Sequence, residues 1–234
     1  MGQVIHIFKK EFMAYFVSPI AYIVISIFLL ITGWLFFTTF FLNNQANLRN
    51  FFALLPIIFS FVVPAITMRL FSEELNVGSY ETLLTMPVTL RDVVAGKFLA
   101  ALAFVITMLV PTVSYPITVS FLGRLDWGPV AGGYIGAILL GAAFCSIGLF
   151  ASSLTRNQII AFIIAVAICF VLTLIDKMLF FLPRSLLGFF EYLGADFHFE
   201  NISKGIIDSR DILYFLSVSF IGLYAAHLAR QENN

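Results

Sequence analysis

The sequence predicts an all-α membrane protein of six transmembrane helices, with an amphipathic helix ahead of them and a charged helical elbow between spans 2 and 3. Three observations carry that expectation. Hydrophobic residues make up 61% of the 234 positions and charged ones only 11%, with a mean hydropathy of +1.00; soluble domains carry about 25% charged residues. Apolar runs recur along the chain, each long enough to cross a hydrocarbon core of ~30 Å as a helix. Finally, the charges are clustered: seven of the 26 lie in the 29 residues Arg69–Lys97, between two apolar blocks. The 13 basic and 13 acidic residues cancel, so nothing supplies the basic surface that nucleic acid requires.

Residues 3–16 begin the chain as an amphipathic helix. Val4, Ile5, Phe8, Phe12, Tyr15 and Phe16 share one face, with His6, Lys9 and Lys10 opposite and Met13 among them. Such a basic, aromatic-bearing helix suits the membrane interface, and it would serve equally as a plain leader into the first span. Ser18-Pro19 ends it, because a residue before proline disfavours the helical region. The apolar run that follows exceeds the roughly 7–15 residues of a cleavable signal core, and no Ala-x-Ala site follows it. It is a retained span.

The six spans fall at about 21–42, 51–68, 98–122, 131–154, 158–175 and 212–228 of a single transmembrane domain, 1–234. An even number puts both termini on one side. Around the first two spans, Lys9, Lys10, Arg69, Arg91 and Lys97 fall on that side against Arg49 on the other, so the positive-inside rule makes it cytoplasmic. Segment 69–97 is then cytoplasmic and segment 176–210 extracytoplasmic.

Pro56, Pro64, Pro111 and Pro116 lie inside spans. Each removes a backbone donor and bends a helix, which shapes either a cavity, a hinge or the packing of a bent bundle. In span 4, Gly133, Ala137, Gly141, Cys145, Gly148 and Ser152 recur at near four-residue spacing, with Gly132 and Gly136 alongside. Small residues let helix backbones approach in lipid, so a tight helix contact is expected there, within or between subunits.

No Asp, Glu, Lys, Arg or His falls deep within a span, where ionisable groups mark proton carriers and intramembrane enzymes. Cys145 and Cys169 read as small buried hydrophobes. His198 and Glu200, in the outer segment, offer at most one metal ligand and read as solvated or interfacial side chains. Gly96-Lys97 lacks the upstream glycine and the Ser/Thr of a phosphate-binding loop. No catalytic, cofactor or metal residue is therefore assigned, and the chain is not expected to be an enzyme.

The charged stretch reads as capped helices. Ser72 caps a first short helix with Glu73 and Glu74 in its opening turn, and Asn76-Val77-Gly78 closes it, glycine taking the left-handed geometry. Ser79 caps a second short helix carrying Tyr80, Glu81, Leu83, Leu84 and Met86, which Pro87 stops. Thr89-Leu90-Arg91-Asp92 is a variant capping box that starts the third long helix, and Lys97 snorkels where that helix meets the membrane. The same caps would also serve a loop with no partner.

The residues Arg69-Leu-Phe-Ser-Glu-Glu74, Gly78-Ser-Tyr-Glu-Thr-Leu-Leu-Thr-Met-Pro-Val-Thr89 and Val93-Val-Ala-Gly-Lys-Phe-Leu-Ala100 resemble the signature of ABC-2 type permeases. Within that superfamily they are similar to the gliding-motility ABC permease subunit of Bacteroidetes and its nitrous-oxide-reductase-maturation relatives. Tyr15–Tyr22 and Gly148–Ala161 match the same pattern, so the likeness runs along essentially the whole chain. Gly78-Ser79 stands where Gly-Thr is usual, which keeps a capping hydroxyl.

The resemblance implies a permease subunit of an ATP-driven exporter in a bacterial inner membrane. Its partners would be separate ATPase subunits, membrane lipid and a second permease, either a copy or a related subunit. It makes the N-terminal segment an interface helix and 69–97 a coupling helix seated in the ATPase. Glu73, Glu74 and Glu81 would be charge contacts to that ATPase, Gly78 the turn and Pro87 the stop. A second reading keeps the ATPase coupling but makes the chain a mechanical component that drives an outer partner without passing a substrate.

Overall fold

The computed structural model describes residues 2–43, 45, 47–78, 88–178, 192–206 and 208–231, and all regular structure among them is helical. In chain order the helices are α1 (Gly2–Val17), α2 (Pro19–Asn43), α3 (Arg49–Thr67), α4 (Arg69–Val77), α5 (Leu90–Leu109), α6 (Ser114–Leu122), α7 (Trp127–Leu154), α8 (Gln158–Met178), α9 (Ala195–Ser203) and α10 (Ser209–Gln231). A 3-10 turn, Val110–Val113, joins α5 to α6. Among the described residues, six stretches are long and apolar enough to cross a membrane: Pro19–Leu42, Arg49–Val77, Leu90–Leu122, Trp127–Leu154, Gln158–Met178 and Ser209–Gln231. They agree with the expected spans in number and order.

The prolines act unequally. Pro56 and Pro64 sit inside an unbroken α3, and Pro116 lies inside α6. Only Pro111 accompanies a departure from α-geometry, in the 3-10 turn of span 3. The Thr112 hydroxyl there donates to the carbonyl of Leu109 at 2.7 Å and meets the Tyr134 hydroxyl of α7 at 3.1 Å. Beyond the turn, Tyr115 donates to the carbonyl of Leu29 in α2 at 3.3 Å. It also stacks on Phe36 with ring centroids 5.5 Å apart.

Helix α7 is the hub of the bundle. Its apolar window is 78% buried, against 22% for those of α2, α8 and α10. Its small residues are the reason, and the contacts they make lie within the chain. A Cβ on Gly133 would come within 2.4 Å of the Phe52 ring of α3, and one on Gly148 within 1.9 Å of the Thr67 hydroxyl. Gly141 faces Val105 of α5, while Gly136 faces Phe199 and Ile202 of α9. From α10, Gly222 closes onto Ser146. Cys145 and Cys169 are buried and free. The outer faces carry exposed Leu30, Trp34, Ile163 and Phe220, as expected of surfaces turned to lipid.

The N-terminal helix packs along α5. Of the expected apolar face, Tyr15 is buried and Val4, Phe8, Phe12 and Phe16 are half-buried, whereas Ile5 is 62% exposed and Ile7 is buried in its place. Half-buried Glu11 joins that face. Gly96 permits the contact: a Cβ there would lie 2.7 Å from Cγ2 of Ile7. Tyr15 packs on Phe104 with centroids 4.8 Å apart and donates to the carbonyl of Ile66 at 3.2 Å. Burial pushes its phenol well above the usual range.

Candidate functional site

The chemistry-bearing residues gather at the end of the bundle where α1, α4, the start of α5 and the α7–α8 turn meet. Its centre is the joint between α3 and α4. Met68 keeps right-handed helical backbone angles, yet the helix ladder is interrupted beyond it. The amides of Phe71 and Ser72 both donate to Oγ of Ser152, from α7, at 2.9 and 3.0 Å. That hydroxyl donates in turn to the carbonyl of Met68 at 2.8 Å. One hydroxyl offers one donor and two acceptor sites, and here all three are used.

Ser72 is therefore not a helix cap. It is fully buried one turn inside α4, and its hydroxyl donates back to the carbonyl of Met68. A cap needs a non-helical residue at a free helix end, and here the chain arrives already helical from α3. Gly78 does close α4 in the left-handed region, at φ 76°. Thr89 opens α5 through the expected capping box: its hydroxyl accepts from the amide of Asp92 at 3.3 Å, and the Asp92 carboxylate accepts from the amide of Thr89 at 3.2 Å. Glu81 and Pro87, with the whole second short helix, lie outside the described residues.

Lys97 is the largest departure from the sequence reading. It does not snorkel; its side chain has no exposed surface. Its ammonium lies 2.9 Å from the Glu74 carboxylate of α4, 3.1 Å from that of Glu11 in α1, and 2.7 Å from the carbonyl of Leu70. The same group sits over the Phe71 ring, 5.3 Å from its centroid. An ammonium has three donors, and here each has an oxygen. Lys10 reaches the same two carboxylates at 3.6 Å from the surface. A buried cation is tolerated because it is paired and hydrogen-bonded.

The expected contact residues therefore separate. Glu74 turns inward to Lys97, whereas Glu73 is exposed and pairs with Arg69 at 3.2 Å. Between α1 and α4 runs a cleft of about 340 Å³, with Lys10, Glu11 and Tyr15 on one wall and Arg69, Glu73 and Glu74 on the other. Close to the end of α4, Asn76 shares a second hollow with Arg156, Asn157 and Gln158 of the α7–α8 turn. These groups form ion pairs and a polar surface. Among the described residues no group of three or more His, Cys, Asp or Glu side chains could hold a metal.

At the opposite end, His198 departs from the solvated or interfacial side chain expected of it. It is 1% exposed, with Nδ1 2.6 Å from Oδ1 of Asp211 and Nε2 3.0 Å from the carbonyl of Tyr192, and its ring stacks on Tyr214 at 4.1 Å. Glu200 is exposed and pairs with Lys204. A signal was present: Ala195, His198, Phe199 and Ile202 are the buried residues of α9, and their spacing is that of one helical face.

Fold and site together define a multi-pass helical membrane protein whose polar machinery sits at one end of the bundle, on a short helix continuing span 2. Residues 5–217 match the family model of the ABC-2 family transporter protein, and the chain belongs to that family. No curated protein matches it. The chain is thus a membrane subunit of an ABC transporter, a class of subunit that works with an ABC ATPase.

Proposed function

We propose that the chain is the permease subunit of an exporter of the gliding-motility type, set in a bacterial inner membrane with the α4 end and both termini in the cytoplasm. The basic residues Lys9, Lys10, Arg69, Arg91 and Lys97 belong to that end, as the positive-inside rule asks. A separate ATPase docks on the coupling segment that begins with α4, meeting Glu73 and Glu81, with Gly78 as the turn and Pro87 as the stop. Glu74 holds the segment from within. Two permease units, copies of this chain or this chain with a related one, act with two ATPases.

The observation that carries this reading is the joint at Met68. Span 2 extends past its own end into a helix that is interrupted, fastened to α7 by Ser152 and to α5 by Lys97. A free loop has no use for such anchorage, whereas a lever pushed from outside does. The gliding-type assignment rests on the motif residues 69–74, 78–89 and 93–100. Neighbouring reading frames for an ATPase and a second permease-like protein would support it, and periplasmic copper-maturation proteins would replace it with the other branch.

The test is charge reversal at Glu73 and Glu81. Co-purification of the ATPase and its stimulated hydrolysis should both fall; if both persist unchanged, the coupling assignment is wrong. ATP-dependent flux in vesicles holding only permease and ATPase separates export from purely mechanical transmission.

A further inference from the structure

We propose that Lys97 is the positioning residue that makes the coupling segment, the N-terminal helix and the inner half of span 3 move as one body. The inference rests on α4 being the segment that the ATPase displaces, and it adds where that displacement goes.

The geometry is that of a lever with one pivot and one tether. The pivot is Met68, where Ser152 of α7 holds the interrupted ladder. The tether is Glu74, whose carboxylate is 2.9 Å from the Lys97 ammonium. At 1.5 Å per helical residue, the tether lies about 9 Å from the pivot and Gly78 about 15 Å from it. About three-fifths of any displacement at the tip therefore reaches Lys97.

The tether is stiff because Lys97 has no alternative partners. Its side chain has no exposed surface, and Leu70 O, Glu11 and Glu74 occupy its donors. Separating α4 from α5 would take a charge partner from a buried ammonium, which is costly where the dielectric is low. Glu11 brings α1 into the same unit, and Ile7 seated on Gly96 keeps its backbone close.

The motion then has one outlet on span 3. Beyond α5 lies the 3-10 turn Val110–Val113, and past it Tyr115 ties α6 to α2 through the carbonyl of Leu29. A short 3-10 stretch within a long helix is a common hinge. The inner half of span 3 swings with α4, and the outer half stays with α2.

The test uses the assembled permease–ATPase complex in nanodiscs, with spin labels on exposed positions. Cys145 and Cys169 are buried, so cysteines introduced by V77C on α4, L99C on α5, M13C on α1 and I163C on α8 take the label. In the wild-type background, nucleotide should shift the distances from 77, 99 and 13 to the α8 reference together. The 77–99 and 77–13 distances should stay fixed.

Lys97→Met alone leaves two acids with only the surface Lys10, 3.6 Å from each, and can fail to fold. The decisive variant is therefore the neutral triple E11Q/E74Q/K97M, which keeps side-chain shape and leaves no buried charge, while removing the ammonium donors that form the tether. There α4 should still shift with nucleotide, but position 99 should lose its shift and the 77–99 distance should change. Lys97→Arg should restore the correlated motion. A 77–99 distance that stays fixed in the triple variant, or one that changes in the wild type, overturns the proposal. Loss of ATPase co-purification is read separately and reports on docking. Absence of any nucleotide-driven shift of α4 in the docked wild-type complex overturns the lever and the coupling reading together.

Discussion

Ser152→Ala is the sharpest test of the joint, because a single oxygen there does three things. Removing it leaves the amides of Phe71 and Ser72 without their acceptor and the carbonyl of Met68 with only the Ser72 hydroxyl. A buried donor left unsatisfied costs about 1–3 kcal/mol, so a joint that keeps its shape loses about 2–6 kcal/mol. The alternative is that the helix straightens and both amides return to carbonyls four residues back. That swing withdraws Leu70 and Phe71, now 3% and 0% exposed, from their seats, at about 1.5–3 kcal/mol each. The two routes cost the same order, so the loss is bounded either way. Hydrogen bonds between membrane helices often measure only about 0.6 kcal/mol, because the separated groups find new partners; here two adjacent amides share one acceptor, which leaves them fewer options. Reversible unfolding in mixed micelles gives the stability, and a spin-label pair across α3 and α4 gives the angle. A loss below about 1 kcal/mol with the angle unchanged would refute the joint as described.

Gly133→Ala should destabilise by about 1–3 kcal/mol through overpacking, since its methyl would lie 2.4 Å from the Phe52 ring; Phe52→Leu should recover much of that in a double-mutant cycle of unfolding free energies. His198→Leu leaves Asp211, 3% exposed, without its ring partner and should cost on the order of 3 kcal/mol; Asp211→Asn in the same background should restore part of it, as read by thermal unfolding, and full wild-type stability in His198→Leu would exclude the buried pair.

How much of this was legible depended on how local each cause is. The six spans follow from composition over some twenty residues, and the cap at Gly78 and the Thr89–Asp92 box follow from short spacings, so these were readable. Ser72 was misread by the same local logic: Ser-Glu-Glu looks like a helix start, but a cap signal is void where the preceding residues are already helical. The hydroxyl then turns back to the carbonyl of residue i−4 instead. The anchoring of α4 was out of reach, because Ser152 lies 81 residues from Phe71 and Glu11 lies 86 from Lys97. The expected face of α1 holds at Val4, Phe8, Phe12, Tyr15 and Phe16, but Ile5 is exposed and Ile7 is buried in its place.

The placement of charge is consistent with the proposed coupling to an outside ATPase. Lys97 at one end, with half-buried Glu74 and Glu11 as its partners, and His198 with Asp211 at the other are ionisable groups held at the ends of the spans. Each is held by oxygen or nitrogen partners within hydrogen-bonding distance. A charge that drives transport by changing its protonation needs a water path or a vacancy within the span. A charge that holds helices together needs the opposite, a full set of partners and no water. Lys97 meets the second description, with three oxygens for three donors and no exposed surface. On the proposed reading, the α4 end passes on a displacement rather than generating one, and the family's ABC ATPase is the partner that would generate it.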